Sequence, residues 1–297
     1  MPSSALSTPE GVLRHLEWKV IRRLDGQLQG DYRTLFHGVG IDLADLREYE
    51  PGDDIRHIDW NVTARMDTPY VRTYLEDREL TTWLLLDRSA SMGFGPTERP
   101  KELVLIELAT TLARLLTRGG NRLGAILYNN AVERTIPPLG GRNQVLRLTH
   151  HLLKPAVPTG TGTDLSDLLQ AAAGVINRRS LVVLVSDFIS KPGWERLLSL
   201  LRERHELVAI RLFDPGELEL PDAGVIVVED AETGDLLSVD TSDPEFRRRF
   251  HEAAEQREDE LWAAAGRAGV DLYEVSTRDD LVHAFVRIVE ERRRRTR

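Results

Sequence analysis

The sequence predicts an α/β fold: a doubly wound, mostly parallel sheet with an N-terminal extension. Three observations predict it. Mostly apolar strand candidates recur at 83–86, 123–128, 181–186, 207–213 and 270–275. Stretches with helical periodicity lie between them, at 102–117, 143–153, 164–176 and 194–203. The first run, Trp83-Leu84-Leu85-Leu86, is apolar at every position up to Asp87, as expected of a parallel strand covered on both faces. Strands alternating with helices of this length require right-handed crossovers, which place helices on both sides of one sheet.

In chain order, the first element is an amphipathic helix over 12–28, because Leu13, Leu16, Val20, Leu24 and Leu28 recur at spacings of three and four and so share one face. From 30 to 67 the chain changes character. Turn formers cluster at Glu50-Pro51-Gly52-Asp53, and aromatic and charged residues interleave without a long apolar run, so this stretch cannot build a core alone. Ile55, Ile58 and Trp60 are placed on one side of a short helix buried against the main domain, which makes residues 1–78 a docked extension. The alternative is a partner-contacting surface that displays Asp53, Asp54, Arg56 and Arg65.

The main domain is expected over 79–290. Within it, Val225-Ile226-Val227-Val228, a turn at Thr233-Gly234-Asp235 and Leu236-Leu237 read as a strand pair or hairpin inserted at one edge of the sheet. Asp243 caps a helix that runs to about 266, and a last helix runs from 279 into Arg292, Arg293, Arg294, Arg295 and Arg297. Residues 291–297 form a basic tail, read as a frayed helix end whose cations suit the C-terminal dipole. Contact with an anionic lipid or a protein is the alternative.

Composition narrows the function. With 41% apolar and 29% charged residues, the chain lies far from the composition at which chains stay unfolded. It has no cysteine, which removes disulfides, thiolate zinc sites and cysteine nucleophiles together. Any metal site must use oxygen or imidazole. A net charge of −9 and a pI near 5.5 argue against nucleic acid as a partner. No stretch approaches the roughly 20 apolar residues of a membrane span, and residues 1–10 lack the apolar centre of a signal peptide. The expectation is a soluble, cytoplasmic chain without a transmembrane segment.

In an open α/β sheet, ligands bind beyond the carboxyl ends of the strands, where the strand order reverses. Three polar groups are expected there. The strand at 83–86 delivers Asp87-Arg88-Ser89-Ala90-Ser91, the strand at 181–186 delivers Asp187, and the loop before the helix at 164–176 delivers Thr159-Gly160-Thr161-Gly162-Thr163. Carboxylates and hydroxyls are hard oxygen ligands and suit Mg²⁺ or Mn²⁺.

Together these residues resemble the metal-ion-dependent adhesion site of von Willebrand factor type A domains. The resemblance implies that Ser89, Ser91 and Thr163 reach the ion, while Asp87 and Asp187 act through water or as hydrogen-bond acceptors behind it. It also implies a protein partner that presents an Asp or Glu to the open position of the ion. Upstream, Tyr49-Glu50-Pro51-Gly52-Asp53-Asp54-Ile55-Arg56-His57-Ile58-Asp59-Trp60, Ala64-Arg65 and the strand-like 71–79 are similar to the domain of unknown function numbered fifty-eight, over about 47–92. That family joins such a block to a type A domain and is commonly encoded beside MoxR-type AAA+ ATPases. The resemblance therefore implies an adaptor or co-chaperone for such an ATPase.

Enzymatic readings find less support. No His-x-x-x-His pair is present, and the adjacent His150 and His151 would point about 100° apart on a helix. Neither a phosphate-binding Gly-x-x-x-x-Gly-Lys-Ser/Thr nor a Gly-x-Ser-x-Gly elbow occurs. A metal-dependent phosphatase with Asp87 as nucleophile remains one alternative, although the place of its second acid holds Ser89. A scaffold with a vestigial metal site is the other. The expectation is a binding module rather than an enzyme.

Overall fold

A computed structural model describes residues 7–28, 45–50, 53, 55, 58, 60–66, 68–73, 81–118, 120–156, 163–229 and 236–295. Helix α1 (Pro9–Leu16) starts at Thr8, whose hydroxyl accepts the Gly11 amide, so one of the unpaired donors of the first turn is satisfied. It continues through a π-helical turn (Glu17–Ile21) into α2 (Arg22–Leu28). Strand β1 (Asp45–Glu48), helix α3 (Trp60–Met66) and strand β2 (Tyr70–Thr73) follow, with β1 and β2 paired antiparallel.

The main domain contains β3 (Thr81–Asp87), α4 (Lys101–Thr117), β4 (Arg122–Tyr128), β5 (Val132–Leu139), α5 (Arg142–Leu152), α6 (Leu165–Val175), β6 (Leu181–Ser186), α7 (Trp194–Arg204) and β7 (Glu206–Phe213). Strands β8 (Val225–Glu229) and β9 (Leu236–Asp240), helix α8 (Pro244–Ala268), strand β10 (Asp271–Ser276) and helix α9 (Leu281–Arg295) complete it. The central sheet has the order β10-β7-β6-β3-β4-β5. Every neighbouring pair is parallel except β4 with β5. This is the expected α/β fold with a mostly parallel sheet.

Alternate residues of each central strand feed two cores, one on each face. Leu84 and Leu86 of β3, with Val183 and Val185 of β6, pack among residues of α1, α2, α4, α5 and α9. Trp83 and Leu85 face the other way, into a core built with α6, α7 and α8. Gly124 lies opposite Trp83 in the β3–β4 register, and a Cβ there would meet the indole at 2.8 Å. Only glycine lets that ring lie across β4.

Four expectations change. The edge strand β5 was not expected, because of its eight residues only Ile136 is buried and no alternation marks it. The antiparallel pair β8 and β9 forms its own two-stranded sheet rather than extending an edge of the main one, and the turn expected at Thr233-Gly234-Asp235 lies outside the described residues. In the upstream block, Ile58 bridges to Val71, but Ile55 and Trp60 are 65% and 70% exposed. The N-terminal residues that do enter the core on the α4 side are Val12, Leu13, Leu16, Val20, Ile21 and Leu24. Pro51, Gly52, Asp54, Arg56, His57 and Asp59 lie outside the described residues.

Finally, the basic end is ordered helix as far as Arg295 rather than a frayed tail. Arg292 is buried and paired with Glu206, and Arg295 donates to Asp271 at 2.7 Å. Two of the arginines thus tie α9 back to β7 and β10.

Candidate site at the carboxyl edge of the sheet

The chain reverses its direction of winding between β3 and β6: from β3 it proceeds outward to β4, and from β6 outward to β7 and β10. Leu86 pairs with Val185 in the last described β3–β6 register position, so the residues that end these strands emerge side by side. Asp87 is the last residue of β3, Ser186 is the last of β6, and Asp187 follows directly. Burial of the strands on both faces carries the carboxylates with them. Asp87 is fully buried and Asp187 is 4% exposed.

After Asp87 the chain turns sharply. The Ser89 amide donates to Asp87 Oδ1 at 2.9 Å, and the Ser89 and Ser91 hydroxyls lie 3.1 Å apart. Both serines are buried, and a 3-10 turn at Ala90–Gly93 holds them. The second Asp87 oxygen accepts the Ser186 hydroxyl at 2.6 Å. Burial pushes the Asp87 carboxyl up to about 6, with the charge of Asp187 adding to the effect and the hydrogen bonds from Ser186 and Ser89 opposing it. This is an acid whose negative charge lacks a counter-charge of its own.

Asp187 sits differently. Its Oδ1 accepts the Ile189 amide at 3.0 Å, and its Oδ2 accepts Lys101 Nζ at 2.7 Å. Lys101, the first residue of α4, is wholly buried. Its ammonium also pairs with Glu217, which follows β7 in a 3-10 turn (Pro215–Glu217) closed by a capping box with Asp214. The next residue after Asp187, Phe188, has φ of 60°, a left-handed conformation in which a non-glycine residue is uncommon.

Thr163 reaches the same edge by another route. Its hydroxyl donates to Asn130 Oδ1 at 3.2 Å, just beyond β4. The following residue, Asp164, accepts the Tyr128 hydroxyl on its carbonyl at 2.7 Å and caps α6 through Ser166 N. Lys191 N donates to the Thr163 carbonyl at 3.1 Å. The loop is therefore pinned between the ends of β4 and β6. Thr159, Gly160, Thr161 and Gly162 lie outside the described residues.

The expected residues thus form two groups. Asp87, Ser89, Ser91 and Asp187 are brought together, and Thr163 is held beside the same edge through Asn130. Lys101, Ser186, Glu217 and Asn130 were not anticipated. Arg88, inside the Asp-x-Ser-x-Ser motif, was not assigned a role either. Its buried guanidinium donates to Glu133 at 2.8 Å and to the carbonyls of Leu152 and Lys154, so it ties the motif to the end of α5.

Among the described residues no three His, Cys, Asp or Glu side chains are grouped as metal ligands, so an ion here would depend on hydroxyls. The donor set fits that requirement. Each carboxylate already accepts two hydrogen bonds, whereas each serine oxygen keeps a lone pair beyond the Ser89–Ser91 contact. A groove of about 400 Å³ opens beside Asp187, lined by Phe188, Trp194, Arg211, Leu218 and Leu261 among others.

Several known proteins are similar to this chain. The uncharacterized protein Rv1480 of Mycobacterium tuberculosis and the uncharacterized protein Mb1516 of Mycobacterium bovis are each 38% identical over 95% of this chain and 89% of their own length. Among solved structures, the conserved hypothetical protein BatB of Bacteroides thetaiotaomicron aligns over 72% of this chain and 99% of its own, at 11% identity and a TM-score of 0.46. An aerotolerance-related membrane protein of Bacteroides fragilis aligns over 72% of this chain and 99% of its own, at 14% identity and a TM-score of 0.47.

One expectation is corrected by these neighbours. A cytoplasmic location was expected, but structural neighbours are named as membrane proteins, so that assignment is withdrawn. Among the described residues, no helix is long and apolar enough to cross a membrane. The family described as "Protein of unknown function DUF58" matches residues 45–260, and with the mycobacterial relatives aligned along nearly the whole length, the chain belongs to that family.

Proposed function

We propose that this chain is a metal-ion-dependent protein-binding module, with a von Willebrand factor type A domain whose adhesion site lies at the carboxyl edge of β3 and β6. The observation that carries the reading is Asp87. It is a fully buried carboxylate held up to about 6 by burial and by Asp187, next to two serine hydroxyls 3.1 Å apart. A divalent cation would relieve that charge.

In this reading Ser89, Ser91 and Thr163 hold Mg²⁺ or Mn²⁺ directly, and Asp87 and Asp187, whose oxygens are already engaged, act through water. Such an ion, held mainly by neutral hydroxyls, supplies a Lewis-acidic position for a carboxylate from outside. Ser186 and the Ser89 amide fix the Asp87 carboxylate, Ile189 N and Lys101 fix Asp187, and Asn130 orients the Thr163 hydroxyl. The partner is a protein that presents an Asp or Glu on a protruding loop. Support for a MoxR-type AAA+ ATPase as that partner, with this chain as adaptor or co-chaperone, comes from the family resemblance. No enzymatic step is assigned, because the position that a phosphatase would give its second acid holds Ser89.

The test is Mn²⁺ titration calorimetry, with circular dichroism on the same samples. Ser89→Ala combined with Ser91→Ala should abolish Mn²⁺ binding and leave the spectrum unchanged, since two ligands go and little core volume is lost. Undiminished Mn²⁺ affinity in the double variant would sink the assignment.

A further inference from the structure

Lys101 is the unusual group at this edge. Its side chain has no exposure, yet it carries an ammonium placed between two carboxylates, Asp187 and Glu217, which come from the ends of different strands. It opens α4, where the helix dipole disfavours a cation. Burial works against its charge, but the two carboxylates more than offset this and hold the amine above its ordinary value. The Phe94 ring, 5.8 Å away, adds a weak cation–π contact. A buried pair of this kind contributes little net stability compared with an apolar filling of the same space, so stability alone is a poor reason for its position.

Its position bears on the charge that a bound divalent ion would experience. Asp87 and Asp187 are two buried carboxylates at the ends of neighbouring parallel strands. The ammonium cancels one of these charges and occupies Asp187 Oδ2. Asp87 is left as the carboxylate whose charge is not offset locally.

We propose that Lys101 is a built-in counter-cation that sets the charge of the metal position, weakening the hold on the divalent ion and leaving that ion with positive charge for an anionic partner group. This rests on the proposed metal-dependent reading. Glu217 is the second anchor: it draws the ammonium partly away from Asp187 and is itself fixed by the Asp214 amide. Lys101 and Glu217 are positioning residues in this scheme and touch no ligand.

The two anchors predict opposite shifts. Lys101→Met keeps the length of the stem and removes the cation, so Mn²⁺ should bind more tightly by about tenfold or more, within the range that groups behind the ligands command. Glu217→Gln keeps an acceptor for the Asp214 amide but removes an anion, so Mn²⁺ should bind more weakly. A purely structural role would shift both variants in the same direction or neither.

Free Mn²⁺ is followed by electron paramagnetic resonance with Mn²⁺ alone as the probe, and thermal unfolding is recorded with EDTA and with Mn²⁺. Lys101→Met should also show the larger rise in Tm on adding Mn²⁺. If wild type binds Mn²⁺ and Lys101→Met binds it equally or less tightly, the inference is overturned and the metal site stands. Should Lys101→Met fail to fold, Glu217→Gln decides alone, and unchanged or tighter Mn²⁺ binding there overturns the inference. Folded wild type that binds no Mn²⁺ overturns both the inference and the proposed function.

Discussion

Asp87 and Asp187 end neighbouring parallel strands, are both buried, and each accept a backbone amide two residues on, yet their electrostatic settings are opposite. Around Asp87 the partners are neutral: a serine hydroxyl and a peptide N–H, with the like charge of Asp187 nearby. Asp187 has an ammonium at 2.7 Å. The same residue type, placed by the same strand-end geometry, is therefore charge-starved on β3 and charge-balanced on β6. Burial alone does not determine what a carboxylate can do; the sign and distance of its nearest full charge do.

The largest expected effect comes from breaking the balanced side. In EDTA, Lys101→Met should destabilise the protein by about 3 to 5 kcal/mol, because it leaves the buried Asp187 and the partly buried Glu217 without their cation. Urea unfolding at pH 7 measures this, and a loss below about 1 kcal/mol would show that Asp187 is not balanced by Lys101 at all.

The charge-starved side should respond in the other direction. Asp87 has its folded value near 6, above the 3.8 of an unperturbed aspartate. The folded state therefore binds a proton more readily than the unfolded chain, so the stability this group allows is full below about pH 4 and falls as pH rises through 6. Asp87→Asn removes that loss. At pH 7 in EDTA it should be more stable than wild type by about 2 kcal/mol, somewhat less than the shift itself is worth, because one accepted hydrogen bond is compromised. The gain should vanish by pH 4. An Asn variant that is less stable at pH 7 would place Asp87 in the same balanced class as Asp187.

Thr163 sharpens the comparison from outside both strands. Thr163→Ala should weaken Mn²⁺ by about tenfold or more while leaving the pH dependence set by Asp87 untouched. Calorimetry at pH 7 and unfolding from pH 4 to 7 check the two halves separately. Full Mn²⁺ affinity in the variant would confine the site to the strands.

Much of this was legible in the sequence, for identifiable reasons. Strands β3 and β6 are near-continuous apolar runs, the signature of a strand flanked on both faces, while β7 and β10 are apolar runs broken by Arg211 and Glu274. Asp87, Ser89, Ser91 and Asp187 were legible because strand ends in such a fold must emerge at one edge. Lys101 was not. A lysine before Glu102 at the head of a helix reads as solvated, and its burial depends on carboxylates 86 and 116 residues away in the chain. Strand β5 carries prolines at 137 and 138 and a single buried side chain, so it is defined by pairing with β4 rather than by pattern. Trp60 and Ile55 misled for the converse reason: they are apolar yet largely exposed, and it is α1 and α2 that enter the core on the α4 face.

That last fact bears on where the gene can be cut. The family match spans residues 45–260, but the side chains that close the core on the α4 face include Leu13, Leu16, Ile21 and Leu24 ahead of that span and Phe285 and Ile288 beyond it. A fragment trimmed to the matching region would shed α1, α2 and α9, uncover part of one face of the sheet, and strip β10 from β7 to leave an open strand edge. Such a fragment should aggregate on expression. The unit that a family boundary recognises and the unit that a ribosome must finish before the chain can fold are, here, different lengths.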